Sequence, residues 1–188
     1  MSPGGHLVTT VVAGAATAAA TGSWTLTAGI VAGGFLIDVD HAVDYVVFDG
    51  QRDLRPGAFL RYYMEGRVRR VVLGLHSWEL MAVLAVLAWM APNPWLVGYL
   101  LGASMHLALD LAFNGEVVPR SILAFYSFSY RAAHRFDART LLGGVPLRPA
   151  GDRFWAAFFR GARALPPVAN LTPAHGRHRD ADGTGALR

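Results

Sequence analysis

The chain has 188 residues, 53% hydrophobic and only 16% charged, with a formal charge of +4. All 17 basic side chains are arginine and there is no cysteine, which excludes disulfides, thiolate nucleophiles and Cys-rich metal sites. This length fits one domain, and the apolar balance is that of a small polytopic membrane protein. The arginines flank apolar runs and no nucleic-acid-binding motif accompanies them, so the basic balance points to membrane lipid rather than nucleic acid.

Residues 7–21 form a first apolar segment, rich in Gly, Ala and Thr, as suits a helix packed closely on its neighbours. Gly22-Ser23 is a turn, and a second apolar helix is predicted over 24–48. Within that helix, Asp38, Asp40, His41 and Asp44 place three carboxylates and an imidazole in seven positions. An ionisable side chain at bilayer depth costs roughly 2.5–3.5 kcal/mol, so such residues pair, bind an ion or face a cavity.

Residues 49–70 are an Arg-rich connection whose aromatic and basic centre, Phe59-Leu60-Arg61-Tyr62-Tyr63-Met64, suits a membrane surface. A third span is predicted over 71–90, interrupted by His76 and Glu79. A fourth is predicted over 95–114, interrupted by His106 and Asp110, with Pro92-Asn93-Pro94 as the turn between them. Segment 121–136 reads as an interfacial helix or a short membrane segment, 152–165 as an amphipathic helix on the membrane, and 166–188 as a disordered cytoplasmic tail. The predicted class is all-α. It is a polytopic membrane bundle of about four transmembrane helices with interfacial amphipathic helices, forming a single membrane-embedded domain over 1–165.

The Arg-rich 49–70 connection and the Arg-rich chain after 115 place both termini and the long connection in the cytoplasm. At about 1.5 Å per helical residue, Asp38, Asp40 and His41 lie roughly 10–15 Å from the cytoplasmic end of the second helix. His76 lies about 8 Å into the third, and His106 and Asp110 lie roughly 6–12 Å before the end of the fourth. His6 stands at the start of the first. Four helices thus send polar side chains into one layer of the cytoplasmic leaflet.

His106 and Asp110 are four apart and share a helix face, as do Asp40 and Asp44; His76 with Glu79, and Asp38 with His41, are three apart. Helical bundles build carboxylate metal sites from such pairs. The candidate ligands are His6, Asp38, Asp40, His41, His76, His106 and Asp110, enough for one or two divalent ions. Imidazole and carboxylate suit Zn foremost, with Mn or Fe as alternatives. Asp44 and Glu79 are candidates for a general base or for orienting ligands. Arg69 and Arg70 are candidates for holding a phosphate.

Gly5-His6-Leu7, Leu36-Ile37-Asp38-Val39-Asp40-His41, His76-Ser77, and Gly98-Tyr99-Leu100 leading to His106 and Asp110 resemble the YdjM-like bacterial inner-membrane proteins. That family is described as membrane-bound metal-dependent hydrolases, and the resemblance runs in the same order over about residues 4–120. The family's H-R-G-x-T-H-S motif reads here Val71-Val72-Leu73-Gly74-Leu75-His76-Ser77, without the first His and the Thr. The resemblance implies a multi-pass inner-membrane hydrolase acting through a metal-activated water. A phosphoester or ester of a lipid or amphiphile is the expected substrate. Two other readings use the same polar layer: a metal-ion transporter or metal-binding membrane protein without hydrolysis, and a structural membrane scaffold.

Overall fold

Ser2 starts the first helix by accepting the Gly5 N–H on its hydroxyl, and Pro3 occupies a first-turn position that needs no N–H donor. Helix α1 runs Pro3–Thr21 and stops at Gly22, whose φ of 63° is left-handed. The structure is a computed structural model and describes residues 1–114, 121–143 and 154–161. These residues are mainly helical and contain no strand; their one isolated bridge pairs Arg70 with Asp137.

Ser23 caps α2, Trp24–Gly34. There the expected continuous second helix breaks. A 3₁₀ turn at Leu36–Asp38, a short α3 at Val39–Val43 and a π turn at Asp44–Phe48 follow, bent by 44° from α2. The Asp38 N–H reaches back only to the Phe35 carbonyl, at 3.3 Å, which frees the Gly34 carbonyl for a partner outside its helix. Helix α4, Pro56–Met64, lies in the Arg-rich connection.

The third span also departs from expectation. Residues 71–77 are non-helical, and α5 occupies Trp78–Met90, capped by Ser77. Asn93 caps α6, Pro94–Phe113. Segment 121–136 resolves into two short helices, α7 at Ile122–Phe125 and α8 at Phe128–Ala133. Helix α9, Ala138–Leu142, and helix α10, Phe154–Arg160, complete the described chain. The tail expected over 166–188 lies outside the described residues.

By length and composition, α6 can cross a membrane, and the bent stretch from Trp24 to Phe48 would be a second crossing if taken as one span. Helix α5 has 13 residues, roughly 20 Å against a hydrocarbon core of about 30 Å.

Helices α2 and α6 touch backbone to backbone. A Cβ on Gly33 would run into the Tyr99 carbonyl and come within 2.6 Å of the Ala103 nitrogen. One on Gly102 would meet the Ile30 carbonyl and the Gly34 nitrogen, the latter at 2.8 Å. Gly29 and Gly98 repeat the arrangement one turn further from the break. Two Gly-xxx-Gly faces therefore set the register that carries the later turns of α6 past the break in α2. Gly33→Ala is expected to push the helices apart and cost about 1–3 kcal/mol, read by denaturant or thermal unfolding in detergent. Unchanged stability would mean that this contact is not the tight one.

Candidate metal centre

Three carboxylates of the broken helix hold the segment that follows α4. Asp49 accepts the N–H groups of Arg69 and Arg70 at 3.0 and 3.1 Å. Asp44 Oδ2 accepts those of Val72 and Leu73 at 2.7 and 3.1 Å. Asp40 Oδ2 accepts those of Leu75 and His76 at 2.9 and 3.2 Å. The order 49, 44, 40 against 69, 72, 75 means that the segment runs back along the helix, two N–H groups to each carboxylate. These amides, satisfied by side chains, have no need of a helix, which is why the helix expected from residue 71 starts only at Trp78.

The carbonyls on this segment have their own partner. Arg131 is completely buried, and its guanidinium donates to the carbonyls of Leu73 (2.8 Å), His76 (3.0 Å) and Phe125 (2.7 Å). Burial draws the pKa of this guanidinium down, and the nearby Asp40 carboxylate opposes that shift. Leu73 adopts a left-handed φ of 43°, uncommon for a branched side chain, and is held there by Asp44 on its N–H and Arg131 on its carbonyl.

The segment delivers His76, which has no exposed surface, to the bundle. Its Nδ1 lies 2.9 Å from Asp40 Oδ2, and Nδ1 of the equally buried His106 lies 2.9 Å from the freed Gly34 carbonyl. Both partners are acceptors, so each ring donates from Nδ1 and turns the lone pair of Nε2 inward. The two Nε2 atoms are 3.1 Å apart, and Asp38 Oδ1 is 3.4 Å from each. Ligand atoms at ~2.0–2.1 Å from a tetrahedral zinc stand about 3.3 Å from one another, so this triangle has the dimensions of one face of such a site.

Two further triads overlap it: His6 with His106 and Asp110, and Asp40 with His41 and His76. Several groups of side chains could thus hold a metal ion. In the outer triads, however, directional bonds already engage His6 with Asp110 and His76 Nδ1 with Asp40. His6 Nε2 is 3.0 Å from Asp110 Oδ1, and its ring stacks on His106 with centroids 3.7 Å apart. Asp110 also accepts from Asn114 (2.7 Å), from the Tyr126 hydroxyl (3.0 Å) and from the Met1 amino group (2.7 Å). His41 Nδ1 stands 3.5 Å from Asp38 Oδ1 and 3.2 Å from Asp40 Oδ1, sealed from solvent yet in hydrogen-bonding geometry with neither. Burial pushes the Tyr126 phenol above its usual pKa, helped by Asp110, and does the same for Tyr63, helped by Asp44. Both therefore stay neutral donors, Tyr126 to Asp110 and Tyr63 to the His41 carbonyl at 2.7 Å.

Comparison with protein-family models, with curated proteins and with solved structures yields no match.

The structure brings all seven candidate ligands to one end of the bundle, though His76 stands before its helix rather than inside it. It sets Glu79 apart. That carboxylate accepts from the Ser127 hydroxyl and from the Phe128 and Ser129 N–H groups at 2.7–3.0 Å, so it anchors the start of α8. Asp44 serves the backbone in the same way. Arg69 lines the cavity beside the site, whereas Arg70 does not. Arg131, Tyr126, Asn114, Asp49 and Tyr63 were not singled out in the sequence; Arg131 had one signal, a cation inside an aromatic run.

Glu79→Gln is expected to cost about 1 kcal/mol, a fall of about 2–4 °C in the unfolding midpoint, and to leave metal content unchanged. Arg131→Met leaves three carbonyls without their donor and should lower both stability and retained metal, measured by unfolding and by elemental analysis. If Glu79→Gln emptied the site and Arg131→Met did not, these two roles would be reversed.

Proposed function

We propose that the protein is a multi-pass inner-membrane, metal-dependent hydrolase that cleaves an ester or phosphoester bond of an amphiphile. The observation that carries this reading is the convergence of His76 Nε2, His106 Nε2 and Asp38 Oδ1, with both imidazole tautomers fixed from behind. Two His and one carboxylate with a remaining open position is a catalytic rather than a structural zinc pattern. Zinc suits this donor set best, and Mn or Fe is compatible with it.

A divalent ion held by His76, His106 and Asp38 would supply Lewis acidity towards an ester oxygen and lower the pKa of a water. The protein's own groups do the rest. Asp40 and the Gly34 carbonyl keep the imidazoles oriented, and Asp110, held by His6, Asn114 and Tyr126, lies 3.5 Å from His106 Nε2. His41 lines the cavity wall with part of its ring exposed, its Nδ1 turned to Asp38 and Asp40. The carboxylates of Asp44 and Glu79 are taken up by N–H and O–H donors.

A four-helix membrane arrangement is supported by the outer faces of the helices. Val8, Val11 and Val12 on α1, Val31 on α2, Val83, Val86 and Leu87 on α5, and Leu101 on α6 are all exposed. Such continuous apolar surface suits lipid. Trp24, Trp89 and Trp95 are exposed at the helix ends opposite the site, as at a membrane interface. The Arg-rich connections support a topology with the site and both termini on the cytoplasmic side.

Purified protein is expected to carry divalent metal, measured by elemental analysis. Asp38→Asn and His106→Ala should each weaken retention at least tenfold, and chelation should abolish hydrolysis of an ester panel until zinc is restored. Wild-type protein that binds no metal would overturn the proposal.

A further inference from the structure

Beside the donor triangle lies a cavity of about 920 Å³, near the upper end of the range of small-molecule sites. His41, His76 and Asp110 form the part of its wall nearest the candidate centre. Val68, Val71, Leu73, Phe125 and Leu142 give it an apolar stretch, and Arg67, Arg69 and Arg139 add three guanidinium groups. Among the described residues, none of its lining comes from α1, α2 or α5, the helices whose outer faces are apolar. The cavity is walled instead by the broken helix, the 63–76 segment, the end of α6 and the 125–142 region.

Three carboxylates share this wall, and each is engaged by donors. Asp44 holds backbone N–H groups, Asp110 takes the Tyr126 hydroxyl, and Asp137 takes the Thr140 N–H and hydroxyl. The arginines are less committed. Arg67 pairs with Glu65 at 2.6 Å but keeps 61% of its side chain exposed. Arg139 is exposed, and its charge acts on the Asp137 carboxylate of the same wall. Guanidinium forks match the oxygen geometry of a phosphate, and an apolar wall beside them calls for an apolar body on the same ligand.

We infer that this cavity binds an amphiphilic organophosphate entering from the aqueous, arginine-bearing side, with its phosphate at Arg67 and Arg139 and its apolar body along Val71, Leu73 and Phe125. The bond cleaved at the metal end is then a second functional group of the same molecule. This rests on the hydrolase reading for the cleavage, but not for the binding. Neither arginine belongs to the candidate metal centre, so substituting them leaves its donors in place.

The test is calorimetric titration of the full chain in phosphatidylcholine nanodiscs with hexylphosphonate, methylphosphonate and hexanol. Hexylphosphonate should bind at least tenfold more tightly than either fragment. Arg67→Gln with Arg139→Gln should weaken it at least tenfold with metal content unchanged. Arg139→Gln alone, which leaves the Glu65 pair intact, should weaken it severalfold. Hexanol binding as tightly as hexylphosphonate, or arginine variants without effect, would overturn the inference. So would displacement of hexylphosphonate by phosphatidic acid in the nanodisc, because that ligand arrives through the bilayer. Wild-type protein that retains metal but binds no hexylphosphonate would sink the cavity assignment alone, whereas wild-type protein that binds hexylphosphonate but no metal would sink the hydrolase reading alone.

Discussion

The pairing of Asp40, Asp44 and Asp49 with six backbone N–H groups of residues 69–76 is the constraint on which the site depends. An apolar stretch such as Val71-Val72-Leu73 has two ways to satisfy its amides away from water: to form helix, or to find acceptors on a neighbour. Carboxylates on the facing side of the broken helix offer the second. Charge-assisted acceptors bind N–H groups more strongly than carbonyls do, so the non-helical path is held rather than merely tolerated. His76 enters the bundle on that path, with backbone and ring fixed by the same carboxylate.

The other half of the centre comes from helix contact. Glycines at 29, 33, 98 and 102 let α2 and α6 approach to backbone distance, and that register brings His106 beside the end of α2. The Gly34 carbonyl meets its ring only because the 3₁₀ turn withdraws the Asp38 N–H that a regular helix would have used. The kink thus does two things. It frees an acceptor that sets one tautomer, and it carries Asp38 to the triangle.

Much of this was legible in the chain. The polar residues of an otherwise apolar sequence had to meet, and the four-apart spacing of His106 and Asp110 put them on one face of a regular helix, as found. What misled was the assumption that apolar residues near a span continue it. Residues 71–77 have the composition of a helix, and their carboxylate acceptors lie 28 to 36 positions away in the chain, beyond any local pattern. Glu79 illustrates the same limit. Its spacing from His76 implies a shared helical face only if both are helical, and His76 is not. The Gly-xxx-Gly pairs were visible, and they carried the register that the spacing of charged residues could not supply. Arg131 was the hardest to see, because a buried guanidinium serving carbonyls has no signature distinct from an interfacial arginine.

A polar layer that only binds helices together has donors facing acceptors, and most of this one does. Asp49 meets a tyrosine hydroxyl and two amides, and Glu79 meets a serine hydroxyl and two amides. The triangle of His76, His106 and Asp38 breaks that pattern. With both Nδ1 protons directed at acceptors behind the rings, three lone-pair-bearing atoms converge at 3.1–3.4 Å. A proton shared between the imidazoles would reconcile the two nitrogens but leave Asp38 Oδ1 facing both without a directed donor. A cation held by all three would reconcile every corner at once, and the edges match the ligand-to-ligand separations of a tetrahedral site. That arrangement, acceptors facing acceptors in a layer whose other carboxylates mostly meet donors, is one that could hold a metal ion.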